Sequence, residues 1–171
     1  MTTLYLHHSA ALEHQTPLGH PERPDRIRVI ERMLEQERFT DLVREQAPVA
    51  TTQMLALAHP EAYIRALEEA SPRDGTVRID SDTTMSPGTL EAALRSAGGA
   101  VQAVDEVMTG QVANAFVAMR PPGHHAERAT AMGFCFFNNA AVAARWAQAK
   151  HGAERVAIID WDVHHGNGTQ D

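Results

Sequence analysis

The chain has 171 residues, 43% of them hydrophobic and 22% charged, and a formal net charge of −7 from 15 basic and 22 acidic side chains. Its length suits one ordinary domain with a core of its own. The acidic balance, with no clustered Lys/Arg stripe, argues against a direct grip on a nucleic-acid backbone, and no run approaches the roughly 18 to 20 apolar residues that span a bilayer. Cys135 is the only cysteine, so no internal disulfide can form, and the N-terminus lacks a basic start followed by a long apolar run. Both features point to a cytoplasmic protein.

In chain order, strand-length apolar runs alternate with helical patterns, the signature of an α/β domain with a largely parallel sheet. The first run, Thr3 to His7, is followed by a polar loop reaching Arg23. Asp25 then stands where an N-cap or first-turn acid belongs, ahead of Ile27, Ile30 and Leu34 on one helical face. Two helical segments follow, over 51–58 and 60–70, the second opened by Pro60. The longest helix is expected over 87–108, where Leu90, Leu94, Ala97, Val101, Val104 and Met108 form an apolar stripe. Gly98 and Gly99 inside it each cost about 1 kcal/mol against Ala, which close packing would explain. Residues 113–119 read as a strand stopped by Arg120-Pro121-Pro122-Gly123, and 138–150 as a helix with Val142 and Trp146 on one face. The most strand-like stretch is 155–163, with Val156-Ala157-Ile158-Ile159, whose unbroken apolarity predicts a strand buried on both faces. No repeat or linker divides residues 1–171, so one domain is expected.

The chemistry gathers at the ends of the last two predicted strands. In an extended chain the side chains of Asp160, Asp162 and His164 point the same way, spaced by about 6.6 to 6.8 Å, at the edge where α/β folds place ligands. Two carboxylates and an imidazole converging there are costly without a cation, and mixed oxygen and nitrogen donors suit zinc, with ferrous iron the alternative. Gly166 and Gly168 allow a sharp turn after them. The other strand closes on His124-His125, adjacent histidines on a Pro/Gly loop. They can act as acid and base when each ring has its own partner. In Gly133-Phe134-Cys135-Phe136-Phe137-Asn138-Asn139, an aromatic could wall a narrow channel, whereas Phe136 and Phe137 read as core and Cys135 as a small buried hydrophobe.

Residues 120–126 (RPPGHHA), 133–139 (GFCFFNN) and 160–168 (DWDVHHGNG), with 20–24 (HPERP) and Arg26, resemble the histone deacetylase family, closest in wording to its class II and bacterial amidohydrolase-like members. The resemblance implies an arginase/deacetylase-type three-layer α/β fold with a central parallel sheet, of which this chain is the N-terminal half. It implies catalytic zinc held by Asp162 and His164, and Asp160 as the acid that orients His124. It also implies a potassium or sodium ion near Asp160, Asp162 and His164. His125 resembles the general base and His124 its charge-stabilising partner. Asn167 stands where class I members have an Asp supporting the second histidine, a change that alters His125's basicity. Gly133 and Phe134 resemble channel residues that grip the acyl-lysine stem, Asp82 a rim acid that contacts substrate backbone, and Arg26 an arginine near an internal acetate channel.

The family's third zinc ligand, another Asp, and its oxyanion-stabilising Tyr or His belong to a part of the family pattern beyond residue 171. Losing that oxyanion donor alone costs about 2.7 to 4 kcal/mol, so the isolated 171 residues are expected to be inactive or nearly so. The implied reaction is hydrolysis of an N-acetylated amine, acetyl-lysine in a protein, to acetate and free amine. The alternatives are an acetylpolyamine or other small acylated amine as substrate, or an inactive fragment serving as a binding or regulatory scaffold.

Overall fold

A computed structural model describes residues 2–171. The first half runs β1 (Thr3–His7), α1 (Ala10–Glu13), α2 (Asp25–Leu34), a 3-10 turn (Glu37–Phe39), β2 (Val43–Gln46), α3 (Thr52–Leu55) and α4 (Glu61–Ala70). It continues with β3 (Val77–Arg78), β4 (Thr84–Met85), α5 (Thr89–Met108), β5 (Asn114–Val117), α6 (Asn139–His151) and the short α7 (Asn167–Gln170). Three strands form a parallel sheet in the order β2-β1-β5, with Leu4 opposite Val43 on one side and Ala115 on the other. β3 and β4 make a separate antiparallel pair.

Side chains alternate across β1, and both faces are covered. Tyr5 packs with Ala11, Ile27, Leu34 and Ala118, so α1 and α2 cover one face. Leu4 and Leu6 are fully buried on the other, the α5 side. The larger core joins Leu55, Ile64, Leu67 and Met85 to Ala93, Ala97 and Val101 of α5 and to Phe136, Phe137 and Val142. This is the three-layer arrangement expected. The glycines of α5 serve close approach as predicted: a Cβ on Gly98 would lie 2.7 Å from the Ala50 nitrogen, and that nitrogen donates to the Leu94 carbonyl at 3.0 Å.

Two expectations need correction. The α5 stripe is buried at Ala97 and Val101, with Leu90 and Leu94 packed against the same core, but the buried face is wider, taking in Ala92, Ala93, Ser96 and Gly99, and the stripe ends before Met108, which is exposed. The larger correction concerns 155–163, which forms no strand. Ile159 is 81% exposed and Trp161 and Val163 are 91% exposed. Apolarity gives a segment reason to be buried, but a strand also needs a neighbour to hydrogen-bond, and none of the described strands pairs with this one. Sequence patterning also missed β2, whose four residues are all exposed and owe their conformation to pairing with β1.

Candidate active site

β5 delivers the chain into a loop, residues 118–128, whose first anchor is Arg120. This fully buried guanidinium donates from Nε and Nη2 to the two oxygens of Glu22, each at 2.6 Å, and from Nη1 to the carbonyls of Ala11 and His14. Burial alone would push the Glu22 carboxyl up. Hydrogen bonds from His14 and Arg120, with the arginine's charge, outweigh it and hold the pKa at about 2. His14 continues the chain of bonds to Thr89 Oγ1 at 2.7 Å. The HPERP segment and the start of the histidine loop are thus fastened by one bidentate ion pair.

The second anchor is His59, which sequence reasoning did not single out. Its Nδ1 donates to the Arg128 carbonyl at 3.0 Å, and its Nε2 accepts from the Asn138 amide at 2.9 Å. The ring must be neutral to do both, and burial lowers its pKa accordingly. Four residues on, Tyr63 donates to the Phe136 carbonyl at 2.6 Å. His59 and Tyr63 therefore tie the histidine loop to the GFCFFNN segment. The i, i+4 spacing at a helix start was the available signal.

Between these anchors His124 and His125 stack obliquely, ring centroids 4.0 Å apart. His124 Nδ1 lies 2.7 Å from Asp160 Oδ2, and His125 Nδ1 lies 2.6 Å from Asn167 Oδ1. One histidine thus faces a carboxylate and its neighbour a neutral amide. The hydrogen bond from His124, then the Asp162 amide, hold the Asp160 carboxyl below the usual carboxylate range. Two glycines make room for the pair. A Cβ on Gly166 would fall 2.6 Å from Asp160 Oδ2, and one on Gly133 would fall 2.6 Å from His125 Cγ.

Gly133 and Phe134 both take positive φ, +55° and +69°. For Phe134 that conformation is strained, and it is held by the Phe134 amide donating to Thr83 Oγ1 at 3.0 Å. The ring meets His20 edge-on at 4.7 Å, and His20 Nε2 lies 3.1 Å from the Asp82 carbonyl. The structure thus brings Asp82 together with Phe134, while leaving the Asp82 side chain exposed. Cys135 and its two following phenylalanines are core, and burial pushes the Cys135 thiol up to about 12.

Arg26 does not sit in an internal channel within the described residues. Its side chain is 55% exposed, 3.4 Å from Glu22 Oε1, and the interior arginine on that carboxylate is Arg120. The extended alternation expected of Asp160, Asp162 and His164 is also corrected. The Asp162 amide donates to Asp160 Oδ1 at 3.1 Å and the His164 amide to Asp162 Oδ1 at 2.7 Å, curling the segment into successive bends. The His164 ring nitrogen Nδ1 turns onto the same Asp162 oxygen at 2.9 Å. These bonds, the backbone one foremost, lower the Asp162 pKa. Among the described residues no group of three His, Cys, Asp or Glu side chains is arranged to hold a metal ion. Tested on donor chemistry, Asp162 and His164 suit two positions of a zinc site, and among the described residues no third His, Cys, Asp or Glu is assembled with them.

A carboxylate-paired and an amide-paired histidine thus lie on a sheet-end loop of an α/β scaffold, beside an Asp/His bend. Residues 20–171 match the histone deacetylase domain, and the chain belongs to that family. A histone deacetylase-like amidohydrolase of Pseudomonas aeruginosa is 44% identical over 89% of this chain and 40% of its own length. Human polyamine deacetylase HDAC10 is 39% identical over 87% of this chain and 23% of its own. The crystal structure of the HDA15 HD domain superposes with a TM-score of 0.93 at 39% identity, covering 99% of this chain and 49% of that one. The chain spans about half the length, or less, of the curated relatives it matches.

Proposed function

We propose that the protein hydrolyses the amide of an N-acetylated amine, with the acetyl-lysine side chain as substrate class, in a zinc-dependent site that includes His124, His125, Asp160, Asp162, His164 and Asn167. The observation that carries this reading is the unequal partnering of two adjacent histidines. His124 faces an ionised carboxylate, so positive charge on its ring is compensated. His125 faces a neutral amide oxygen, which fixes its proton on Nδ1 and leaves the Nε2 lone pair free.

In the reaction His125 Nε2 takes a proton from the attacking water as the new C–O bond forms. As the C–N bond breaks, the histidine pair returns a proton to the leaving nitrogen, giving acetate and amine. His124, tied to Asp160, holds charge at the centre. Zinc held by Asp162 and His164, completed by a ligand outside the described residues, would supply Lewis-acid polarisation of the acetyl carbonyl and water. Phe134, held in its strained conformation beside His20, walls the approach for an apolar acyl-amine stem, with Asp82 at the rim. A cytoplasmic location belongs to the same proposal and rests on the lone, buried thiol.

The test is acetate release from an acetyl-lysine peptide, compared with an N-acetylated diamine, by the protein as its gene encodes it with zinc supplied. Turnover of the peptide that His125→Ala reduces by at least about 100-fold supports the reading. Turnover confined to the diamine would move the substrate to small acylated amines. Zinc uptake with no hydrolysis of either would overturn the enzymatic reading in favour of a scaffold.

A further inference from the structure

The amide that supports His125 has its own support. Asn167 Nδ2 donates to Glu127 Oε1 at 2.9 Å, while Asn167 Oδ1 faces His125 Nδ1 at 2.6 Å. Glu127 follows the histidine pair by two residues and is half-buried, its backbone fixed by its amide N–H donating a hydrogen bond to the Thr130 carbonyl at 3.0 Å.

An asparagine differs from an aspartate at this position in one respect that matters. Both oxygens of a carboxylate accept hydrogen bonds, so either may face the imidazole. A carboxamide has one accepting end and one donating end. If the Asn167 amide turns over, its NH₂ faces His125 Nδ1, which must then accept. The ring proton moves to Nε2, and the lone pair needed there is lost. Glu127 forbids that turn, because an ionised carboxylate can only accept and would then confront Asn167 Oδ1. The other partners of Asn167 Nδ2 are the Met132 thioether at 3.4 Å and the His125 carbonyl at 3.5 Å, a weak acceptor and a long contact.

We propose that Glu127 is a positioning residue for the deacetylation chemistry: it sets the direction of the Asn167 amide and, through it, the tautomer of His125. The role rests on the function proposed above for His125, but the geometry it predicts is visible without turnover.

The experiment reads both. In the chain labelled with nitrogen-15, long-range proton–nitrogen spectra report which ring nitrogen of His125 is protonated. In the unsubstituted chain the Nδ1–H form is expected to dominate. In Glu127→Ala its excess over the Nε2–H form falls by about tenfold or more, the scale of a hydrogen bond to a charged group. Glu127→Leu keeps the bulk of the stem and is expected to do the same should the alanine variant fold poorly. Glu127→Gln carries a donating as well as an accepting end, can pair with the Asn167 amide in either direction, and is expected to lose the Nδ1–H preference as well. Asn167→Asp removes the need for orientation, so adding Glu127→Ala to it leaves the ring unchanged.

In acetate release by the gene-encoded protein, Glu127→Ala lowers kcat in proportion to the fall in the Nδ1–H fraction at unchanged KM, and costs nothing in the Asn167→Asp background. An unaltered His125 tautomer in both Glu127→Ala and Glu127→Leu overturns the inference, as does an equal loss in the Asn167→Asp background. A shifted tautomer in a protein that releases no acetate leaves the inference standing and sinks the proposed function instead.

Discussion

Arg120 opens the loop that carries the histidine pair, and Asp162 stands in the bend whose Asp160 meets that pair from the other side, yet the two are built by opposite means. Around Arg120 the guanidinium and the Glu22 carboxylate are both buried and answered: the pair is bidentate, two carbonyls accept from the arginine, and a histidine meets the carboxylate. Around Asp162 the side chains are exposed, and the carboxylates bond to the backbone of their own segment. The first region is a frame, in which removing one partner strands the others. The second is a set of donors displayed on the surface, whose removal changes what can be bound rather than what is folded.

The largest expected effect therefore falls on the frame. Arg120→Leu leaves Glu22 buried without its main partner, and breaking one side of such a pair costs about 3 to 5 kcal/mol. Urea unfolding should show that loss, and Glu22→Gln added to Arg120→Leu should recover part of it. If the single variant is no less stable than the parent, the buried pair is not what fastens the HPERP segment to the loop.

Acid tests the frame without substitution. Glu22 titrates near 2 in the folded chain against an ordinary 4.5, so the unfolded chain binds the proton first. The stability from this group is complete above 4.5 and is lost as pH falls toward 2, on the order of 3 kcal/mol in all. His59 works in the same direction at higher pH. Burial keeps it neutral, with a pKa below the ordinary 6.5, so its protonation in the unfolded chain begins to erode stability as pH drops below 6.5. Unfolding free energies measured from pH 7 to pH 2 should therefore fall in two stages, and His59→Gln should blunt the upper one only.

These two regions also mark what could be read from sequence. The long helices were legible because their apolar spacing is local: α5 and α6 lie within two residues of their expected bounds. So was the company of His124 and His125, since motif residues at Asp160 and Asn167 carried the family resemblance. Partnerships decided at long range were not. Arg120 and Glu22 are 98 residues apart, and nothing in either segment states that they meet. Glu127 was passed over because its role exists only once Asn167, 40 residues later, folds back beside it. The 155–163 segment failed in the opposite sense: its composition spoke for burial, while strand formation depends on neighbours its own residues do not contain.

A smaller effect is expected at Phe134, between the two regions. Its φ of +69° suits glycine better than any residue with a Cβ. Elsewhere in a chain a glycine variant is less stable than the matching alanine variant. Here Phe134→Gly should be more stable than Phe134→Ala by about 1 kcal/mol, since both lose the ring and only alanine keeps the strain. Equal stabilities in urea would mean that the Thr83 hydrogen bond, rather than the backbone itself, sets this conformation.

Asp162→Asn is expected to change stability least and binding most. Its carboxylate is exposed, and an asparagine oxygen can still accept from the His164 amide, so the bend should persist and Tm should not move. The negative charge and the second oxygen that would meet a zinc ion are gone, however. Calorimetric zinc titration of the gene-encoded protein should lose the uptake seen in the parent. Retained uptake would remove Asp162 from the metal site. A fall in Tm as large as that of Arg120→Leu would show that the bend belongs to the frame after all, and the contrast between a partnered interior and a displayed donor set would no longer describe this molecule.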